Sequence, residues 1–562
     1  MKGAKKQLLP SVLCAISAAA MSQGVAPESM SKLPTDAWPT YSGDYSGQRY
    51  SPLAQIDRTN VKNLTLAWVN RVVAGSGSGG GGLFAPAGPP TIVGGEAAQP
   101  VILGMMGGGG PARIVGAILQ VDGVLYLSSP DNAWAVDARD GTVLWHYFWK
   151  TKGGSHIGNR GMGMYRNWLY FETPDDYVVS LDAKTGKERW HKPIADLDEQ
   201  YFSTMAPIVI GRHVLVGTGN DLDFPGFLQS FDPETGELQW KSYTVPMKQG
   251  DLGLNTWPSL DRASHGGGQV WTVGAYDPET HLYIFGTGNP TPAYTPKVRE
   301  GDNLFTCSLV AVNVDTGKMA WYYQTSPHDT HDWDSAQTPI LADLLIKGVV
   351  RKVILWANRN GFYYVLDRVT GEFLTGVPFV KTDWANGLTP AGRPILVDAA
   401  KVSTAGRRTS PGIGASNWQN SAFDQGRGSI FVAATESSSV FSKRPLNEVT
   451  SEPHGYGLGS GWSQVELPAR LVIALDAATG SRKWQYRESI SGRDYSGLLA
   501  TGGGLVFGAS GGSLFALDAD NGHEVFKQSL GGATMSPPIS FTIDGEQVIA
   551  VAAGRALFVF GL

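Results

Sequence analysis

The chain carries little charge, almost no cysteine and, beyond its first twenty residues, no long apolar run. Only 17% of its 562 residues are Asp, Glu, Lys or Arg, against 42% hydrophobic, which excludes a disordered or coiled-coil chain. With 45 basic and 50 acidic residues the net charge is −5, and no basic surplus marks a nucleic-acid surface. The two cysteines are Cys14 and Cys307. Cys14 lies in an N-terminal leader, so the mature chain has no pair with which to close a disulfide. The leader runs Met1-Lys2-Gly3-Ala4-Lys5-Lys6 and then an apolar stretch from Leu8 to Ala20. A basic head, an apolar run and a small-residue end predict a secretory signal peptide over 1–20, cut after Ala20 or a few residues later, and a periplasmic or secreted product. The run falls short of the about 20 apolar residues a membrane span needs; an uncleaved anchor is the competing reading. No transmembrane segment is expected in the mature chain.

Glycine and aromatic residues are abundant. There are 72 Gly, with 17 Trp, 20 Tyr and 21 Phe, and the glycine share is almost double the usual value of about 7%. Many tight turns between short aromatic-rich strands follow, which is an all-β signature. Seven segments share one pattern: apolar residues, Asp or Asn, a turn with Gly, then an aromatic. Their Asp/Asn positions are 137, 182, 232, 313, 367, 476 and 518, spaced by 45, 50, 81, 54, 109 and 42. In five of them the aromatic is Trp (Trp145, Trp190, Trp240, Trp321, Trp484); in two it is Phe373 or Phe526. The Asp bonds the turn backbone, the Gly supplies a positive φ, and the Trp packs between neighbouring sheets. A 40–50-residue period of such hairpins predicts propeller blades. Seven hairpins, with the stretch from Trp38 to Trp68 closing the circle, point to an eight-bladed β-propeller. The 81- and 109-residue gaps hold an extra blade or large loops. The expected plan is a linker over 21–37 and one propeller domain over 38–562. A Gly-rich insertion over 75–110 reads as a flexible rim segment, with a closing lid as the alternative.

These hairpins, the opening Trp38-Pro39-Thr40-Tyr41-Ser42-Gly43-Asp44 and the C-terminal Ala550-Val551-Ala552-Ala553-Gly554 resemble the quinoprotein alcohol dehydrogenases, which use pyrroloquinoline quinone (PQQ). The resemblance runs from about Trp38 to Leu562. Outer-membrane assembly scaffolds carry similar blades, so a non-catalytic envelope scaffold is the alternative, and the site motifs decide between them. In Gly286-Thr287-Gly288-Asn289-Pro290 the resemblance makes Asn289 a metal ligand; the plain reading is a turn before Pro290. Pro327-His328-Asp329-Thr330-His331-Asp332-Trp333-Asp334 resembles the family's His-Asp-x-Trp-Asp segment, with His331 in the place of Trp. That register makes Asp332 the catalytic base; a slipped register nominates Asp334. Zinc held by His328 and His331 is a competing reading that lacks a third nearby His or Cys. In Val216-Gly217-Thr218-Gly219-Asn220-Asp221 the resemblance places Asp221 where the family has a metal-binding Glu, one methylene longer, and Asp223 is its substitute.

The remaining matches concern the quinone. Trp271 resembles the Trp stacked beneath the planar ring, a role suited to an aromatic face. Arg359 resembles the basic residue near the reactive carbonyl. Arg160, Thr204 and Thr218 resemble the set that holds the PQQ carboxylates, for which an Arg fork is well shaped. Asn417 and Trp418 resemble a pair at the quinone edge. The family's adjacent cysteines are missing from Gly153–Gly158, which loosens the tie to alcohols alone. There is also no Cys-x-x-Cys-His for a covalent haem. The resemblance thus implies PQQ with Ca²⁺ held by Asp221 and Asn289, and a small-molecule alcohol, polyol or sugar as substrate. It also implies a separate electron acceptor, cytochrome c or a quinone. Asp334, two residues after Asp332, adds the carboxylate that balances a trivalent ion, so a lanthanide is the alternative metal.

Overall fold

The computed structural model describes residues 24–76, 88–98, 113–154, 158–199, 201–219, 224–398, 401–443, 461–488 and 494–562. The leader, most of the Gly-rich insertion, Asp221 and Asp223 lie outside the described residues.

Eight four-stranded antiparallel units follow one another along the chain. Blade 1 begins at Leu119–Val121 and ends with Val143–Trp149; blade 2 runs from Gly163–Tyr165 to Glu188–Pro193. Blade 3 spans Ile208–Ile210 to Leu238–Tyr243, and blade 4 Ala275–Asp277 to Met319–Gln324. Blade 5 spans Ile340–Ile346 to Phe373–Pro378, blade 6 Ala422–Asp424 to Arg482–Arg487, and blade 7 Leu499–Thr501 to Glu524–Ser529. Blade 8 takes three strands from the C-terminus (Ile539–Ile543, Glu546–Ala553, Ala556–Gly561) and its outer strand from Thr65–Arg71. The two long repeat gaps therefore hold loops, not an extra blade. The eighth blade lacks the hairpin motif because its outer edge comes from the other end of the sequence.

The seven hairpins explain how the blades adhere. Gly141, Gly186, Gly236, Gly317, Gly371, Gly480 and Gly522 all have φ between 65° and 78°, the left-handed region in which glycine carries no Cβ penalty. They are also pressed against their neighbours. A Cβ on Gly186 would come within 2.6 Å of Trp145, on Gly236 within 2.7 Å of Trp190, on Gly317 within 2.5 Å of Trp240 and on Gly522 within 2.5 Å of Trp484. Six blades thus lay a tryptophan on the turn of the next. The indole N–H of Trp145, Trp240 and Trp484 donates at 2.9 Å to the carbonyl of Ala183, Val314 and Ala519 respectively. Trp68 on the outer strand of blade 8 does the same to Ala138 of blade 1 at 2.9 Å, which closes the ring. In blade 5 the position that pairs as the docking tryptophans do is Thr375, and the expected aromatic, Phe373, pairs with Leu366 and stacks on Tyr323 instead. There Tyr363 donates its hydroxyl to Ala477 at 2.7 Å, and Val377 and Tyr363 cover Gly480.

Several additions modify the ring, among them a parallel fifth strand of blade 7 from Tyr50–Ser51 and a hairpin of Ala385–Leu388 with Pro394–Leu396. Thr91–Gly94, inside the Gly-rich insertion, pairs parallel with Val143–Trp149 and so adds a fifth strand to blade 1. The described part of the expected linker packs rather than dangling: Met30 is buried and Val25 bridges to Arg166 of blade 2. The 109-residue gap carries a three-stranded flap of Arg407–Thr409, Ser439–Ser442 and Gly461–Gln464. Among the described residues no helix is long and apolar enough to cross a membrane.

Candidate functional site

Loops from blades 1 to 7 converge on a cavity of about 510 Å³, within the range of cofactor and ligand pockets. Arg160, Thr204, Trp271, Asn289, Asp332, Asp334, Arg359, Asn417 and Trp418 all line it. Residues scattered over more than 250 positions of sequence are thereby brought to one place. Thr218 is fully buried just behind, its hydroxyl donating to Gln269 at 3.4 Å, and Gln269 and Gly219 line the wall there.

One side of the cavity is acidic. The loop from Ser326 to Asp334 joins blades 4 and 5, and its shape is set by Asp329. The Oδ2 of this buried residue accepts from the backbone N–H of His331 (3.3 Å), Asp332 (2.9 Å) and Trp333 (3.2 Å). Burial raises the Asp329 carboxyl to about 6, those N–H groups pulling the other way. Arg299, completely buried, ties down the outside of the loop: it donates to Asp329 O, to Pro292 O at 2.9 Å, to Ala293 O at 2.8 Å and to Asn303 at 2.8 Å. Trp333 anchors the core side, its indole N–H bonded to Gly412 O at 2.9 Å and its ring stacked on His331 at 4.3 Å. With Trp333 turned inward, Asp332 and Asp334 on either side of it face the cavity.

Arg359, from the turn after Val349–Ala357, spans the two acids. Its Nη1 donates to Asp334 at 2.6 Å and its Nη2 to Asp332 at 3.2 Å, while Nε is held by Ile413 O at 2.9 Å. Gly414 lets this loop close on the arginine, since a Cβ there would lie 2.3 Å from Arg359 Cγ. The backbone N–H of Asn289 donates to Asp334 Oδ1 at 2.6 Å. The Asn289 amide N–H is turned to Pro290 O at 3.0 Å, which leaves its carbonyl oxygen as the available donor atom. Asp332 also accepts from the Tyr294 hydroxyl at 3.3 Å on Oδ2; its Oδ1 accepts no hydrogen bond among the described residues. Of the two registers open in the sequence, both acids therefore reach the cavity. Asp334 is the one locked at both oxygens.

The opposite side is cationic and aromatic. The Arg160 guanidinium carbon lies 4.6 Å from the Trp271 ring centre and 5.4 Å from that of Trp418. Its Nη1 donates to the Thr204 hydroxyl and, at 3.3 Å, to Trp271 O, while its buried Nε has no partner. Burial lowers Arg160 to about 10, so it stays cationic at neutral pH. Behind it lie two acids with no forerunner in the sequence reading. Burial raises Glu172 well above the usual carboxyl range, and raises Asp176 to about 8. The backbone N–H groups of Met205 and Gly217 lean toward Glu172 and pull its proton affinity the other way.

The residues fit the group they were matched to. Two indoles and a guanidinium with an orphaned N–H suit a flat polycarboxylate. The amide oxygen of Asn289 with Asp332 and Asp334 is an all-oxygen set of the kind hard cations take. The zinc reading is not supported: His328 Nδ1 is engaged with Gly301 O at 2.7 Å, His331 is stacked on Trp333, and among the described residues no cluster of three or more His, Cys, Asp or Glu side chains could hold a metal. Tyr294, Asp329 and Arg299 were missed by sequence reasoning. Tyr294 stands five residues after Asn289 and had a signal in that proximity; Arg299 had none.

Fold and cavity together define an eight-bladed β-propeller with a large polar cavity lined by loops of successive blades. The chain belongs to the PQQ-dependent alcohol dehydrogenase family: the model for the glucose/ethanol/alcohol dehydrogenase β-propeller domain matches residues 38–385. The model for outer membrane protein assembly factor BamB matches residues 468–560. The quinoprotein alcohol dehydrogenase PedH of Pseudomonas putida is 33% identical over 543 residues, covering 90% of this chain and 84% of that protein. The dehydrogenase subunit of a quinone-type alcohol dehydrogenase from Gluconacetobacter polyoxogenes is 32% identical, covering 92% of this chain and 71% of that one. The crystal structure of quinohemoprotein alcohol dehydrogenase from Comamonas testosteroni superposes with a TM-score of 0.83 at 29% identity, over 97% of this chain and 83% of that one. A europium-containing methanol dehydrogenase gives a TM-score of 0.80 at 26% identity, over 95% and 100% of the two chains. The chain is an alcohol-oxidising quinoprotein, an enzyme and not a scaffold.

Proposed function

We propose that the protein is an exported, PQQ-dependent dehydrogenase that oxidises an alcohol with Asp332 as general base. Bound PQQ and its cation supply the hydride acceptor and the Lewis acid. Arg160, Thr204 and Thr218 hold the cofactor's carboxylates, Trp271 supports its ring, and Asn417 and Trp418 border its edge. Asn289 would hold the cation, with Asp221, beyond the described residues, as a further ligand and Asp334 as the carboxylate added for a trivalent ion. Asp332 takes the hydroxyl proton on Oδ1 while Arg359 and Tyr294 keep Oδ2 in place. Base assistance of this kind contributes about 10²–10⁴ in rate. Arg359 also stabilises negative charge as it develops in the transition state. The cation is Ca²⁺, or a lanthanide if the Asp334 carboxylate turns from Arg359 toward the metal. Electrons leave to a separate acceptor, a cytochrome c or a quinone, in the periplasm to which the leader directs the chain.

The observation that carries this reading is the Arg359 fork joining Asp332 to Asp334 beside Asn289, in a cavity whose other wall is Arg160 with two tryptophans. The test is to add PQQ with Ca²⁺ or La³⁺ to the purified protein and follow dye reduction with a panel of alcohols. Cofactor uptake and alcohol-dependent reduction are expected. A protein that takes up no PQQ with either metal overturns the proposal.

A further inference from the structure

The cavity has a third wall that neither the acid cluster nor the Arg160 side uses. It is built by the flap and the adjoining strands of blade 6. Ser439 lies opposite Gln464 and Phe441 opposite Trp462 in the flap ladder, and side chains two apart share a face. Ser439, Trp462 and Gln464 line the cavity, as does Ser437 two residues before Ser439. Phe441 packs on His331 at 4.6 Å, which sets the flap against the loop that carries Asp332. The hydroxyls of Ser437 and Ser439 converge on one point: a Cβ on Gly412 would lie 2.9 Å from the first and 2.6 Å from the second. Gly412 is two residues from Gly414, which packs on Arg359. The serine pair thus stands beside the reacting end of the cavity.

Two polar atoms of this wall are unspent. Ser437 Oγ and Gln419 Oε1 are buried in residues only 5% and 6% exposed, line the cavity, and have no hydrogen-bond partner among the described residues. Leaving buried polar atoms unpaired is costly, so they point to a ligand that pairs them. Arg470, stacked on Tyr495 at 4.1 Å with its Nη1 on the Thr435 hydroxyl, adds a donor on the same wall. The chemistry of the set is mixed. Gln419 Oε1 only accepts, a serine hydroxyl both donates and accepts, and a guanidinium only donates. A carboxylate has nothing to give Gln419, and an alkyl chain has nothing for any of them. Adjacent hydroxyls, each of which donates and accepts, match this set, and they are the groups an alcohol substrate can bring.

We infer that the flap wall recognises additional hydroxyls of the substrate, so that the alcohol oxidised at Asp332 is a polyol or sugar rather than a simple alkanol. This rests on the dehydrogenase reading of the same cavity. The test uses the holoenzyme loaded with PQQ and metal, assayed with glycerol and D-sorbitol against 1-propanol and 1-hexanol, for the wild type, Ser437→Ala and Gln419→Leu. PQQ uptake is titrated separately by absorbance, and glycerol and D-sorbitol binding to the same protein is measured by calorimetry. The expected result is a wild-type preference for polyols. Each variant should lose about tenfold in kcat/KM for polyols, mainly through KM, with a matching loss of calorimetric affinity. Alkanol turnover, PQQ uptake and the unfolding temperature should be unchanged. Gln419→Glu, which keeps the acceptor, should retain polyol binding. A wild type that prefers 1-hexanol, or variants that lose alkanols and polyols equally, overturns the inference. Loss of PQQ uptake in either variant assigns the wall to the cofactor and overturns it too. A wild type that binds no PQQ refutes the dehydrogenase reading instead, and calorimetry with D-sorbitol then judges the flap by itself.

Discussion

Replacing Arg359 by lysine removes the one group that touches both cavity acids. The arginine makes three directed bonds, at 2.6 Å to Asp334, 3.2 Å to Asp332 and 2.9 Å to Ile413 O. Its side chain and that of Asp334 are each 9% exposed, and that of Asp332 is 16% exposed, so water cannot replace what is lost. A lysine keeps the charge but is a single point donor on a flexible stem; it holds one carboxylate and leaves the other. Removing one preorganised donor from a dry site costs about 10²–10³ in kcat, or about 2.7–4 kcal/mol. Arg359→Lys should therefore lower kcat by about 10² and Arg359→Ala by about 10³. Uncoupling the acids also leaves buried carboxylates repelling each other. Breaking such a pair costs about 3–5 kcal/mol, and the bound cation offsets part of it, so the melting temperature should fall further without metal than with it. The assay is dye-linked turnover at saturating PQQ and metal, with alcohol varied, beside thermal unfolding with and without the cation. If Arg359→Lys keeps kcat within threefold of wild type, the fork is not part of transition-state stabilisation. If the whole loss appears in PQQ affinity, Arg359 is a cofactor anchor.

Asp334→Ala should abolish lanthanide-supported turnover while sparing Ca²⁺-supported turnover; equal loss with both ions refutes a metal-selective role. Trp271→Ala should weaken PQQ binding about tenfold or more, read by absorbance titration, with an unchanged circular dichroism spectrum. Gly317→Ala puts a Cβ 2.5 Å from Trp240 at φ 65° and should cost about 2–4 kcal/mol of stability, read as a lower denaturant midpoint. Asp176, raised by burial to about 8, binds its proton more tightly folded than unfolded. Its contribution to stability is therefore fully present below about pH 4 and declines as pH rises toward about 8. Asp176→Asn should flatten that decline and raise the melting temperature at pH 8 relative to pH 4, and an unaltered pH profile would show that the acid is not desolvated.

The blades were legible because their signal is local and repeated. Asp137, Gly141 and Trp145 lie within nine positions, and their spacing is fixed by one turn and one docking contact. The eighth blade was legible only as a need for closure, since Trp68 and Phe558 sit at opposite ends of the sequence and carry no shared pattern. The cavity residues emerged through resemblance. Nothing in the spacing of Arg160, Trp271 and Arg359 places them together; the ring does that by returning every blade to the axis. What stayed hidden were residues that act on backbone. Asp329 stood without a role of its own in the run that supplies Asp332 and Asp334, yet its carboxylate gathers three N–H groups. Arg299 lies in a turn of ordinary composition and is wholly buried against carbonyl oxygens. Glu172 read as one more strand residue, and only its burial behind Arg160 sets it apart.

The junction of blades 5 and 6 has a consequence for how the circle comes apart. At six junctions an indole grips the following turn, but here a phenol and a valine do so, and the segment that crosses this junction also carries Asn417, Trp418 and the flap. A clasp without an indole therefore lies next to the cavity. Deuterium uptake should begin at Gly480 and its neighbours before it reaches the turns that a tryptophan covers. Thr375, which pairs with Val365 as Trp484 pairs with Ala474, holds the docking position here, so Thr375→Trp would restore the missing indole and tighten the circle beside the cavity.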